Sequence, residues 1–243
     1  MYDLDYGVYF GIKIAVAIIM AVFLGNGAVV LFNRVPVHWF EDEGELPPGL
    51  NEMGDGSRQR ITSTPWKYVF VALLGICGVY LAWSNSLQYE ITALIILFIA
   101  LEIAIADMKY HVVPDQFNIL LAMSAVGFIG YYEEWYEQLL GAVFGLAILL
   151  IVYLLGKAVT KSDAIGGADV KYFAAMGLAT GRSGVIFIFL LTNLLIALHA
   201  FILLFTDKDA LKEPKPMLAY AMAAAVVYFV FFYNVNLTQM LFN

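Results

Sequence analysis

Charged side chains and cysteine are scarce in this chain. Only 14% of the 243 residues are charged and 62% are hydrophobic, whereas soluble domains carry about 25% charged and roughly 45–50% apolar residues. The single cysteine, Cys77, excludes a disulfide within the chain and a zinc site built from cysteines. The formal net charge of −7 argues against binding to nucleic acid. The composition therefore indicates an integral membrane protein, with the lipid bilayer around it.

Long apolar runs fill most of the sequence, and a helix of ~20 such residues crosses a bilayer. We therefore expect an all-α fold, a polytopic transmembrane helix bundle of about eight spans. Residues 1–66 would hold the first span and an acidic cytoplasmic loop, and residues 67–243 the rest of a single membrane domain. The predicted spans are 8–32, 67–84, 90–106, 117–132, 138–157, 169–181, 183–206 and 217–237.

Lysines and arginines are unevenly distributed between the loops that these spans predict. Eleven of the 13 fall in loops on one side, while the opposite loops contain only Arg182 and the first span contains Lys13. Basic loops face the cytoplasm in most membrane proteins. We therefore expect a multi-pass protein of the inner (cytoplasmic) membrane, with the basic loops in the cytoplasm and both termini outside.

Two aspartates lie at the ends of predicted spans, where ionisable residues are costly and become candidates for function. Asp107 closes the third span and Asp169 opens the sixth, so both lie at the predicted cytoplasmic boundary although 62 residues separate them. Two carboxylates in a site of low dielectric share one proton, so that one serves as a base and the other as an acid in peptide hydrolysis. Simpler structural roles are a helix cap for Asp169 and a span-ending acid for Asp107.

A second class of function fits the same two acids. Asp107 and Asp169 would also suit a membrane transporter that binds a cation or relays protons. Their predicted position at the membrane boundary rather than at its midplane favours a peptidase, and so does the absence of a visible internal repeat.

Two short segments with defined spacing surround the aspartates. The first reads ADMKYHVVPDQ and contains Asp107, Pro114 and Asp115. The second reads GGADVK and contains Asp169 and Lys171. Together they resemble the motifs of the type IV prepilin peptidase family, membrane aspartic peptidases that include the archaeal preflagellin peptidases. The resemblance implies that Asp107 and Asp169 are the catalytic pair.

The second segment departs from the G-x-G-D motif of that family at one position. Gly166 and Gly167 precede Ala168, which stands where the family has its second glycine. Such small residues fit a close approach of another backbone. The resemblance is firm over about 90–206 and weak before that, where GNGAVVLFNRVP and ITSTPWKY follow the family only in part.

The family implies an aspartic endopeptidase that removes a short basic leader from type IV pilin-like precursors at the cytoplasmic membrane face. We expect this cleavage to need no metal and no cofactor. Many bacterial members also N-methylate the new amino terminus with S-adenosylmethionine, and many bind zinc through C-x-x-C pairs in the first cytoplasmic loop. That loop has no cysteine here, so such a zinc site is excluded, while methylation stays open.

The predicted loop 33–66 is rich in carboxylates. We hypothesise that they attract the basic leader of a precursor, because opposite charges would meet at one membrane face. A solvated linker is the alternative. The acidic residues are Glu41, Asp42, Glu43, Glu45, Glu52 and Asp55.

Overall fold

A computed structural model describes residues 2–41, 45–47, 50, 59–132, 134–160, 166–207 and 215–233. Within these ranges the regular structure is helical and no β-strand is formed, which confirms the predicted all-α class. The chain divides into two compact units, residues 1–102 and 103–243. The division expected at residue 66 stays a prediction.

Seven α-helices lie within the described residues. Short 3-10 turns follow the first and fourth helices, and the last helix continues into a π-helical turn at Tyr228–Phe232. The helices are α1 (Tyr2–Arg34), α2 (Trp66–Ser84), α3 (Leu87–Tyr110), α4 (Asp115–Ser124), α5 (Tyr136–Thr160), α6 (Gly167–Thr206) and α7 (Met217–Val227).

Five of these helices are long and apolar enough to cross a bilayer, namely α1, α2, α3, α5 and α6. They support a multi-pass membrane protein, but the expected count of about eight spans is not confirmed. The predicted span 117–132 overlaps α4, which has 10 residues and is therefore about 15 Å long, against ~30 Å of hydrocarbon. Gly130, with a φ of 89°, interrupts the helical path soon afterwards.

In the first unit, α1 and α2 pack closely around a glycine. A Cβ atom at Gly25 would overlap the backbone of Val71, so the two helices approach more closely than a larger residue would allow. The Nζ atom of the buried Lys13 donates a hydrogen bond to the carbonyl oxygen of Asn85 at 3.0 Å. This bond offsets part of the cost of a charge in an apolar segment.

In the second unit, α6 folds back on itself at Gly181. That residue has φ 64° and ψ −176°, a conformation that is essentially restricted to glycine. A Cβ atom at Gly145 of α5 would overlap the carbonyl oxygen of Phe173 and lie 3.1 Å from Cγ2 of Val185. A straight helix would hold those two residues about 18 Å apart. This break at Gly181 lies at the boundary between the predicted spans 169–181 and 183–206.

Glycines bring α5 against the first half of α6. A Cβ atom at Gly141 would overlap the carbonyl oxygen of Gly177, and a Cβ atom at Gly177 would overlap that of Gly141. Gly141 and Gly145 lie four residues apart and share one face of α5. This small-xxx-small spacing is common where membrane helices pack closely, because van der Waals contact between backbones drives their association.

The turn at Gly181 leaves backbone carbonyls at a helix end without intrahelical partners. Two tyrosine hydroxyls donate to them: Tyr132 to Ala179 at 2.8 Å and Tyr228 to Thr180 at 3.2 Å. Beside the turn, Nη2 of Arg182 lies 3.1 Å from Oε1 of Glu137. The break at Gly181 ends the first half of α6. We call Ala179–Arg182, Glu137, Tyr132 and Tyr228 the turn end of α6.

Candidate active site

Asp107 lies in the last turn of α3 and is 8% exposed. Its Oδ2 atom accepts a hydrogen bond from the backbone N–H of Leu218 at 2.8 Å. Leu218 is the second residue of α7, so the carboxyl meets the partial positive charge of a helix N-terminus, which favours a negative group. The apolar pattern and the two motifs do not predict this contact.

Asp169 is the third residue of α6 and is half-buried. Its Oδ2 atom accepts a hydrogen bond from the backbone N–H of Gly166 at 3.2 Å. The side chain therefore caps the N-terminus of its own helix, which is the structural role that the sequence left open. A carboxyl in this role is still available to a ligand through its other oxygen, because a carboxylate has about four acceptor sites.

The two aspartates lie within electrostatic range of each other. Asp107 comes from α3 and Asp169 from α6, and the negative charge of Asp107 acts on the carboxyl of Asp169. Both carboxyls are partly removed from solvent, and like charges in such surroundings favour a shared proton. His111 also acts electrostatically on Asp107. It lies in the motif stretch and has a left-handed φ of 52° just after α3 ends.

An ion pair joins the two motif segments. Nζ of Lys171 lies 2.7 Å from both carboxylate oxygens of Asp115. Asp115 is the first residue of α4, and the buried Pro114 precedes it. Both charged side chains are more than half exposed, so the pair contributes at most about 1 kcal/mol to stability. It nevertheless brings the start of α4 against the start of α6.

The residues just before Asp169 leave open space beside it. Gly166 and Gly167 are exposed, and Ala168 is half-buried. A Cβ atom at Gly167 would meet nothing within 4 Å, and one at Gly166 would meet Oδ2 of Asp169 at 3.6 Å. A peptide backbone therefore has room to approach Asp169 from this side. We call Gly166–Tyr172, Asp107 and the first turn of α4 the site end of α6.

Two further expectations from the sequence concern metal ligands and the acidic loop. In the described part of the chain, no three His, Cys, Asp or Glu side chains group as ligands of a metal ion.

Glu41 and Glu45 of the acidic loop are exposed. The hypothesis that the loop attracts a basic leader stays a prediction, because four of its acids lie outside the described residues. They are Asp42, Glu43, Glu52 and Asp55.

Comparison with known proteins finds a similarity in this region. The sequence model of the type IV leader peptidase family matches residues 94–201, which are less than half of the chain. This leader peptidase segment contains both aspartates and every other motif residue, so the resemblance found in the two short segments is confirmed.

Curated proteins similar to this chain include several bacterial proteins named prepilin leader peptidase/N-methyltransferase. The Bacillus subtilis protein is 23% identical over 141 residues, which cover 57% of this chain and 55% of the relative. The Xanthomonas campestris pv. campestris protein is 32% identical over 128 residues, which cover 51% and 44%. The Stutzerimonas stutzeri protein is 27% identical over 167 residues, which cover 66% and 57%.

The chain spans about half the length of the curated relatives that it matches. No solved structure gives a significant match. The assignment of Asp107 and Asp169 as catalytic residues stays a prediction.

Proposed function

We propose that this chain is an intramembrane aspartic endopeptidase that removes the basic leader from type IV pilin-like precursors. The observation that carries the proposal is the approach of Asp107 and Asp169, whose carboxyls interact electrostatically although 62 residues separate them. Both lie inside the leader peptidase segment. The names of the relatives support a prepilin as the substrate class.

The proposed chemistry uses the two carboxyls and one water molecule. The ionised carboxylate takes a proton from the water, whose oxygen attacks the scissile carbonyl carbon. The protonated carboxyl donates its proton to the reacting peptide, and the carbon–nitrogen bond then breaks to leave a new amine and a new carboxyl group. Because the dyad shares one proton, its members exchange roles during the cycle. The reaction needs no metal and no cofactor, and N-methylation stays outside this proposal.

The proposed position of the site is the cytoplasmic face of the membrane. Asp169 is half-buried beside two exposed glycines, an arrangement that supports access for both water and a peptide. The uneven distribution of basic residues supports the cytoplasmic side. A leader peptide that carries positive charge would reach the site from that side without crossing the bilayer.

A cleavage assay with aspartate-to-asparagine variants tests the proposal. Asparagine keeps an oxygen that accepts a hydrogen bond, so the contacts of Asp107 with Leu218 and of Asp169 with Gly166 survive the change. It removes the acid–base function. Membranes that contain the wild type, Asp107→Asn or Asp169→Asn are mixed with a pilin-like precursor, and loss of the leader is followed by mass spectrometry.

We expect the wild type to cut the precursor and each variant to fall below detection, a loss of at least about 10³-fold. Asp207→Asn is the matched control, because this exposed aspartate follows α6 outside the family match. Sealed inverted vesicles should cut added precursor, and sealed right-side-out vesicles should not. If either dyad variant cut at the wild-type rate, the aspartic mechanism would be wrong and proton- or cation-coupled transport would be tested next.

A further inference from the structure

Buried polar atoms without protein partners gather at the site end of α6. In the described part of the second unit, such atoms occur in only four side chains, three of which lie near the starts of α4 and α6: Gln116, Asn118 and Tyr172. Asn118 is 5% exposed, and neither its amide nitrogen nor its oxygen has a partner. Tyr172 is 0% exposed, and its hydroxyl has none.

Such atoms are unusual because a buried polar group without a hydrogen bond carries a free-energy cost. More than nine in ten buried polar groups in proteins have a partner, and each exception calls for a reason. Leucine in place of Asn118, or phenylalanine in place of Tyr172, would keep the shape and avoid the cost. A ligand that hydrogen-bonds to both side chains would supply the reason.

Each of the two side chains follows a motif residue by one helical turn. Tyr172 follows Asp169 by three residues on α6, so the two share a face of the helix. Asn118 follows Asp115 by three residues on α4, and Asp115 is bonded to Lys171 beside Tyr172. The unpartnered amide and hydroxyl therefore lie within about one helical turn of the motif residues.

A peptide substrate of the proposed enzyme would require hydrogen-bond partners of this kind for its backbone. A peptide that is cut in a partly buried site must expose its backbone to the two carboxyls. Its backbone N–H and C=O groups then lose water, which is costly unless they find new hydrogen-bond partners. An asparagine amide offers both a donor and an acceptor to a peptide group, and a tyrosine hydroxyl does the same.

We infer that Asn118 and Tyr172 are substrate-binding residues that hydrogen-bond the backbone of an extended peptide next to the scissile bond. This inference rests on the proposed function. The open space at Gly166 and Gly167 admits that backbone to the site. Recognition of main-chain atoms would be independent of the precursor's side chains, so it would apply to every precursor that the enzyme cuts.

Two tyrosine-to-phenylalanine changes separate binding from folding. Tyr172→Phe removes a hydroxyl that has no partner among the described residues, so the melting temperature should stay the same or rise. The value of kcat/KM for precursor cleavage should fall at least about tenfold. Tyr228→Phe is the matched control, because its buried hydroxyl donates to Thr180 at the turn end. It should lower the melting temperature by about 2–6 °C and leave cleavage per folded molecule unchanged.

Asn118→Leu is a second variant of the same kind. It keeps the volume, and it should lower kcat/KM about tenfold or more without lowering the melting temperature. Wild-type cleavage by Tyr172→Phe and Asn118→Leu would overturn this inference alone, since the dyad variants would still be inactive. A melting temperature that falls in Tyr172→Phe as much as in Tyr228→Phe would also overturn it, because the hydroxyl would then have a structural partner. A wild type that cuts no precursor would overturn the proposed function and this inference together.

Discussion

The two ends of the first half of α6 differ in how far their polar groups are hydrogen-bonded within the protein. At the turn end, tyrosine hydroxyls satisfy the carbonyls of Ala179 and Thr180. At the site end, Asn118 and Tyr172 bury polar atoms that have no partner among the described residues. Within the same residues the turn end leaves only Nε of Arg182 without a partner, whereas we infer that the site end gains partners when a peptide binds. The comparison indicates that the turn end serves stability and the site end serves function.

The largest effect is predicted for Gly145 of α5, which contacts the first half of α6 between its two ends. Gly145→Leu would place a side chain on the carbonyl oxygen of Phe173, and a backbone atom inside a packed helix pair has little freedom to move. We expect almost no folded protein, measured by size-exclusion chromatography of a fluorescent fusion in detergent. Gly11→Leu is the control, because a Cβ atom at Gly11 would meet nothing within 4 Å. Normal yields of Gly145→Leu would show that α5 and α6 pack differently.

A smaller effect is predicted at the turn end itself. Gly181→Ala forces a β-carbon into a conformation that costs about 1–3 kcal/mol for other residues, and that atom would lie 2.9 Å from Cε1 of Tyr132. The melting temperature should fall by about 2–10 °C, with cleavage per folded molecule retained. Gly27→Ala, which adds a methyl group in open space, should change neither. Lost cleavage at an unchanged melting temperature would contradict the division of roles between the two ends.

The smallest effect is predicted for the ion pair at the site end. Lys171→Met or Asp115→Asn should each reduce the free energy of unfolding by no more than about 1 kcal/mol, since both side chains are more than half exposed. Thermal unfolding of both single variants and the double variant gives the coupling energy directly. A coupling well above that value would mean that the exposed pair holds the site end together, and the contrast with the turn end would weaken.

Sequence patterns predicted the helical class and the break near Gly181, which follow from apolar run length and from a local glycine. The pairing of Asp107 with Asp169 as a catalytic dyad stays a prediction. The patterns placed a full span at 117–132 and did not reveal that α4 ends at Ser124, because an apolar run does not show where the backbone changes direction, as at Gly130. They also missed the bond between Lys171 and Asp115 and the tyrosine–carbonyl bonds, since these partners are 47 to 56 residues apart. Such contacts depend on how helices meet rather than on local composition.

The hydrogen bond from Leu218 to Asp107 has a consequence for how this site varies among natural proteins. The donor is a main-chain N–H, which every amino acid except proline supplies. The hydrogen bond therefore sets no requirement on the side chain at 218 except that it is not proline, and the burial of Leu218, which is 1% exposed, is a separate requirement of packing. The family match ends at residue 201. A fragment that ends at residue 201 would contain both aspartates but would lack α7, which donates the hydrogen bond to Asp107.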